Sequence, residues 1–351
     1  MKRSASRVQF LSFIMVLLLL QGCNAAPSVP AAASADPDRP PSIQEWMRTK
    51  GEDVRADKPL VIGFSQLGSE SAWRMANTAS VQEAAKESGI SLLLENAEQS
   101  QPKQFEAVRE FIRRKVDVIA IAPVVESGWS GILQEAKLAG IPVVILDRSV
   151  NVEDTSLFVT TIGSDFYEEG VKAGKYLLDR MQNQAGPIRI AELQGTAGSS
   201  PSIQRGEGFR SVVKARTDMV ITQSAPADFT ENKGKEVMRE LLQVPSEERP
   251  QVLFAHNDDM AIGAIEAIKE AGLKPGKDIV ILSVDGSRSA LRLLNDGELN
   301  AVVECNPLLG PLLMQAAKEI MAGRSLPKRM IPPEDIFTQE RAEQAIQNRK
   351  F

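Results

Sequence analysis

The chain has 351 residues, of which 43% are hydrophobic and 25% charged, and it carries a formal net charge of -5. That balance gives no basic footprint for nucleic acid, and the length permits one or two domains built on ordinary hydrophobic cores. Its single histidine, His256, has no second histidine or cysteine close by in sequence, so no usual transition-metal site is expected.

The first residues carry a basic stretch (Lys2, Arg3, Arg7), an apolar run from Phe10 to Leu20, and then Leu20-Gln21-Gly22-Cys23. The run is short and no stop-transfer pattern follows it, so residues 1–22 are predicted to be an export signal rather than a spanning helix. The Leu-x-Gly-Cys ending resembles the lipobox of bacterial lipoproteins, which implies cleavage before Cys23 and a lipid on its thiol. Cys305 would then stand alone, without an internal disulfide. Residues 23–58, rich in Ala, Pro, Ser and Asp, read as a flexible tether that lifts the folded part off a membrane.

From Leu60 onward, short β-branched runs alternate with stretches at helical spacing. Strands are predicted at 60–66, 90–96, 117–123, 142–147, 157–163, 188–195, 219–225, 252–258, 279–285 and 300–305. Continuous apolar strands separated by helices predict parallel sheets covered on both faces, a doubly wound α/β architecture. Ten strands are many for one twisted sheet, so two sheets in two lobes are expected. AKLAGIPVVILD, ending at Asp147, reads like AIKEAGLKPGKDIVILSVD, ending at Asp285, so the lobes look like two copies of one plan.

In such sheets ligands bind beyond the carboxyl ends of the strands. There the sequence places Gln66, Glu70, Trp73 and Arg74, then Asp147-Arg148, Gln194-Gly195-Thr196, Asn257-Asp258 and Asp285-Gly286. Carboxylates, guanidinium groups and amides recognise hydroxyls, and a ring covers the C–H face of a sugar. Each residue also has a plainer reading: Asp147-Arg148 as a solvated ion pair, Trp73 as core, and a loop Phe229 as a plug at a core edge. Asn257-Asp258 could likewise be a helix cap, and the expectation is that Asp258 or Asp259 caps while Asn257 binds. No G-x-G-x-x-G follows the first strand, and neither a phosphate-binding loop nor a calcium loop occurs, so no cofactor and no metal are expected.

IGFSQLGSESAWR, IAPVVESGW, IPVVILDRS, ELQGTAGSS, ADFTENKGKEVM, FAHNDDMAIGAIEAIKEAGLKPGKDI and SVDG, with the arginine of IQRGEGF, resemble the periplasmic sugar-binding proteins of the ribose and galactose type. Within that type the chain resembles most the galactofuranose-binding components of bacterial ABC importers, from about Pro59 to Phe337. The resemblance implies two lobes joined by three crossovers: residues 59–162 with 306–331, and residues 163–305 with 332–340, followed by a tail from 341 to 351. It implies sugar contacts from Gln66, Glu70, Trp73, Arg74, Asp147 and Arg148 on one side. On the other it implies contacts from Arg205, Phe229, Asn257 and Asp285, with Glu304 or Cys305 on a hinge strand. Where many pyranose-binding relatives carry aromatic residues just after the first strand, this chain has Leu67-Gly68-Ser69-Glu70, with Trp73 a turn into the helix, which favours a furanose or an unusual sugar.

The expected role is a non-catalytic clamp, monomeric and anchored outside the cytoplasm, that takes up a monosaccharide by hinge closure and hands it to a membrane permease. A sensor that presents its sugar to a receptor or histidine kinase is the alternative. A sugar-responsive transcription regulator would need a helix-turn-helix where the export signal stands. A glycosidase would need two carboxylates at hydrolytic spacing, one with a raised pKa.

Overall fold

In the computed structural model residues 59–351 are described; the expected leader, Cys23 and the tether lie outside the described residues. Runs of apolar, mostly β-branched residues set the strands. β1 (Val61–Gln66), β2 (Ser91–Asn96), β3 (Val118–Ile121), β4 (Val143–Leu146), β5 (Thr160–Ile162) and β11 (Arg329–Met330) make one sheet, in the order β11-β5-β4-β3-β1-β2. β6 (Ile188–Gln194), β7 (Met219–Pro226), β8 (Val252–Ala255), β9 (Val280–Asp285), β10 (Ala301–Glu304) and β12 (Ile336–Thr338) make the other, in the order β12-β10-β9-β8-β6-β7. The two orders correspond strand for strand. The pairings are parallel except that of β12 with β10.

The helices on these sheets begin where side chains satisfy the free N–H groups of the first turn. Ser71 caps α1 (Ala72–Glu87), Ser100 caps α2 (Gln101–Arg113), and α3 (Ser130–Leu138) completes the first set. Asp165 caps α4 (Phe166–Arg180), which packs against α5 (Ser200–Val213) in the second lobe. Thr230 caps α6 (Glu231–Leu241), Asn257 caps α7 (Asp258–Glu270) and Ser287 caps α8 (Arg288–Asn295). Strands β3, β4 and β8 are buried throughout, as sheets covered on both faces require.

The chain passes between the lobes three times: from β5 into α4, from β10 into α9 (Gly310–Met321), and from β11 into β12. Helix α9 returns to the first lobe and lies on α1, where a Cβ at Gly310 would fall 2.1 Å from the Ser80 carbonyl oxygen. Only a glycine permits that approach.

Two features depart from the sequence expectation. Strands β11 and β12 are additional to the ten predicted, each too short to show a pattern. The segment from 341, expected as a tail, instead carries most of α10 (Gln339–Asn348), which packs on α8 with Ala342 buried. Beyond it Arg349 donates to the carbonyls of Gly286 and Asp285, at 2.7 and 2.9 Å, and pairs with Glu304. Those bonds satisfy strand-end carbonyls, which is why the segment is ordered against the second lobe.

Candidate functional site

The carboxyl ends of the two sheets face one cavity, lined by residues of both lobes. Asp147 directly follows β4 and Asp285 is the last residue of β9, the corresponding strands of the two lobes. Both have positive φ, 62° and 126°. Such backbone costs a non-glycine residue about 1–3 kcal/mol and concentrates where a side chain must be aimed.

On the first-lobe wall Arg74 is the hub. From the first turn of α1 its guanidinium meets Glu70 Oε1 at 3.1 Å and Asp147 Oδ2 at 2.6 Å, and reaches Gln66 Oε1 at 3.4 Å. The Ser71 side chain accepts from Arg74 N and holds that turn in place. Burial alone would raise the Glu70 pKa, but Arg74 and Arg148 beside it hold the carboxyl below its ordinary value. Arg148 donates to the Val124 carbonyl at 2.7 Å, yet its Nε has no hydrogen-bond partner, and neither has Glu70 Oε2. Burial, with Arg74 close by, lowers the Arg148 pKa to about 10. A buried polar group left unpaired costs about 1–3 kcal/mol, so these atoms suit a ligand able to pair with them.

The second-lobe wall centres on Arg205 of α5. Its Nε bonds Glu169 Oε2 at 2.7 Å, its Nη1 donates to the His256 carbonyl at 2.6 Å, and Asp285 Oδ1 lies 4.0 Å from Nη2. Burial opposes the charge, but Glu169 and its neighbours hold the Arg205 pKa above its ordinary value. Burial pushes Asp285 well above the usual carboxylate range. Backbone contact between α4 and α5 sets the position of Arg205: a Cβ at Gly170 would lie 2.1 Å from the Arg205 carbonyl oxygen. The Phe229 ring rests on Gly195, where a Cβ would come within 1.8 Å of it, and its carbonyl accepts from Asn257 Nδ2 at 3.2 Å. Arg148 and Arg205 stand over that ring at 5.2 and 5.9 Å.

The lobes are shut on this cavity. At one rim the Ala72 amide donates to the Asp259 carboxylate at 3.3 Å. At the other, Ser149 N donates to Ser200 Oγ at 2.9 Å and Glu126 N to the Gly198 carbonyl at 3.0 Å. Beside the crossovers Trp73 Nε1 donates to the Cys305 carbonyl at 2.8 Å. The lining residues include three carboxyl groups (Glu70, Asp147, Asp285) and three guanidinium groups (Arg74, Arg148, Arg205), with the rings of Trp73, Phe166 and Phe229 around them. So many donors and acceptors beside aromatic rings fit a small polyhydroxylated ligand.

Of the residues singled out from sequence, Glu70, Trp73, Arg74, Asp147, Arg148, Arg205, Phe229, Asn257, Asp285 and Cys305 line the cavity together. Gln66 and Glu304 do not. Gln66 lies behind Arg74, with its amide on Asn77 and Thr78. Glu304 and Cys305 are successive on an extended segment and point to opposite sides, so when Cys305 faces the cavity Glu304 turns away to Arg349 and the Asp335 amide. The expected division between Asn257 and its neighbours also changes. Asn257 Oδ1 accepts from Met260 N at 3.0 Å and is itself the cap. Asp258, fully buried, instead accepts from Ser283, Gly286 and Ser287 and anchors the turn after β9. His256 is buried against Glu192 at 3.1 Å and takes no part in the cavity. Ser71, Phe166 and Pro201 line the site without having been expected. Only Ser71 had a sequence signal, as the residue before a helix.

The periplasmic binding protein domain family matches residues 62–325. The galactofuranose-binding protein of Escherichia coli is 41% identical over 294 residues, 83% of this chain and 92% of that one. The ribose import binding protein of Bacillus subtilis is 30% identical over 97% of this chain and its own full length. Among solved structures, a Mycobacterium smegmatis protein in complex with β-D-fucofuranose superposes with a TM-score of 0.81 at 46% identity, covering 83% of this chain and 95% of that one. The binding protein of a Shewanella arabinose ABC transporter, bound to α- and β-L-arabinofuranose, gives 0.79 at 46% identity with the same coverage. With the matching profile spanning most of its length and its two lobes closed on one cavity, the chain belongs to the periplasmic binding protein domain family.

Proposed function

We propose that this protein is the substrate-binding component of a bacterial ABC sugar importer and that it captures a monosaccharide in furanose form. The observation that carries this reading is the cavity itself: carboxyl groups, guanidiniums and an asparagine from two lobes face one another across it, with aromatic rings beside them. The similarity to proteins solved with fucofuranose and arabinofuranose supports the choice of ring form. Asp147, Arg148, Arg205, Asn257 and Asp285 would pair with ring and exocyclic hydroxyls, while Trp73, Phe166 and Phe229 would cover the C–H faces.

Sugar would enter with the lobes apart and dock on Arg74, Asp147 and Arg148. The second lobe would then rotate about the three crossovers until the rim contacts at Asp259 and Ser200 form. Ligand thereby shifts the population towards the closed shape, which a membrane permease would recognise. A lipid on Cys23 would keep the carrier beside that permease, outside the cytoplasm; among the described residues no helix is long and apolar enough to cross a membrane. The reading includes no bond-breaking step.

Titration calorimetry against galactose, arabinose, fucose, ribose and fructose, each present in several ring forms, tests the proposal. Saturable heat with at least one of them is expected, and heat with none would overturn it. Replacing Asp147 with Asn removes the charge from hydrogen bonds worth about 1.5–3 kcal/mol each, so affinity is expected to fall by about tenfold or more.

A further inference from the structure

We propose that Glu169, Cys305 and Glu334 form a binding site for a zinc-type divalent cation at the hinge. Among the described residues these three place one ligand atom each within 4.8 Å of the others. Each comes from a different passage between the lobes: Glu169 from the first turn of α4, Cys305 from the segment after β10, and Glu334 from the segment between β11 and β12.

The chemistry of the cluster asks for positive charge. Glu169 is fully buried; its Oε2 is taken by Arg205, but its Oε1 has no hydrogen-bond partner. Glu334 Oε1 accepts from Asn306 N at 2.8 Å and from Ser164 Oγ, which also lies 3.3 Å from Cys305 Sγ. Lys172 directs its ammonium group to the Glu334 carbonyl, 2.9 Å away, rather than to the carboxylate. Arg205 is thus the one cation bonded to a carboxylate of the cluster among the described residues, and it is shared with Asp285.

A dication would supply the positive charge that Arg205 alone does not. On binding, the thiol and any protonated carboxyl release their protons to solvent. The three ligand atoms then carry three negative charges against the two positive charges of the ion and the one of Arg205. One thiolate with two carboxylates suits zinc, which accepts sulfur and oxygen ligands, and not calcium or magnesium, which take oxygen sets. An ion held here would tie the three passages together beside the cavity that Cys305 also lines. The ligands are remote in sequence, so no spacing motif announces them.

The test titrates zinc chloride, with calcium and magnesium chlorides as controls, into the full chain carrying Cys23→Ser, which leaves Cys305 as the sole thiol. Competition with a chromophoric chelator is the readout. One zinc per chain is expected, weakened about tenfold or more by Glu334→Gln and abolished by Cys305→Ser, with no uptake of calcium or magnesium. Cobalt chloride gives a second, spectroscopic readout: a thiolate ligand adds a sulfur-to-metal charge-transfer band in the near ultraviolet, expected with Cys305 and absent from Cys305→Ser. Absence of zinc uptake, uptake untouched by both substitutions, or a cobalt spectrum without the thiolate band would overturn the site. None of these readouts requires a sugar.

Discussion

Replacing Arg205 with Met removes a cation from the middle of the second-lobe wall and strands Glu169, which is 1% exposed and has Arg205 as its bonded partner. The penalty cannot exceed the cost of protonating that carboxyl. At about 1.36 kcal/mol per unit, a glutamate with an ordinary pKa near 4.3 costs about 3.7 kcal/mol to neutralise at pH 7 and about 1 kcal/mol at pH 5. The lost hydrogen bond to the His256 carbonyl adds about 1 kcal/mol. The variant is therefore expected to lose up to about 4–5 kcal/mol at pH 7 and up to about 2 kcal/mol at pH 5. The sign follows from burial, which raises the Glu169 pKa in the folded chain above its unfolded value. Its favourable contribution is present at low pH and disappears as pH rises through the folded value. Arg205→Met with Glu169→Met removes both charges and is expected to recover most of the loss. Urea denaturation at the two pH values, followed by circular dichroism, measures all of this. A deficit below about 1 kcal/mol at pH 7, or one that does not shrink at pH 5, or a double variant no better than the single, would refute the reasoning.

Asp259, at the rim of the closed lobes, is pushed up to about 7 by burial and by Asp258, Glu231 and Glu70 around it, against the lowering effect of the Ala72 amide. Closure is favoured while the group is protonated, so sugar affinity is expected to fall as pH rises from 6 to 8, by at most about tenfold per pH unit. Calorimetry on Asp259→Asn should give a flatter profile, and identical profiles would remove Asp259 from the closure. Gly170→Ala would drive a Cβ to 2.1 Å from the Arg205 carbonyl. Thermal denaturation should report a loss of about 1–3 kcal/mol, with weaker sugar binding as α5 shifts; unchanged stability would contradict the backbone contact described.

Much of this molecule was legible in its sequence because buried parallel strands announce themselves. VIAI of β3 and VVIL of β4 are the continuous β-branched runs expected of a sheet covered on both faces, and the matching aspartates Asp147 and Asp285 marked the strand ends that meet in the cavity. What stayed hidden depends on neighbours remote in sequence. The two residues of β11 carry no period. Phe166 reaches the cavity only because α4 starts directly after a passage between lobes. Glu304 and Cys305 could not be told apart until the direction of β10 was fixed. Asn257 was expected to leave capping to its neighbours, yet its amide caps α7, holds the Phe229 carbonyl and lines the cavity at once.

Because β11 belongs to the first sheet and α9 packs on α1, yet both follow residue 305, that lobe is unfinished until all of the second lobe but β12 and α10 has been synthesised. A fragment ending at 162 would leave β5 an open edge, inviting pairing with other chains, and would bare the side of α1 on which Gly310 rests. Dissecting the protein into single-lobe pieces for engineering would therefore require grafting residues 310–330 onto the first half rather than cutting at the waist.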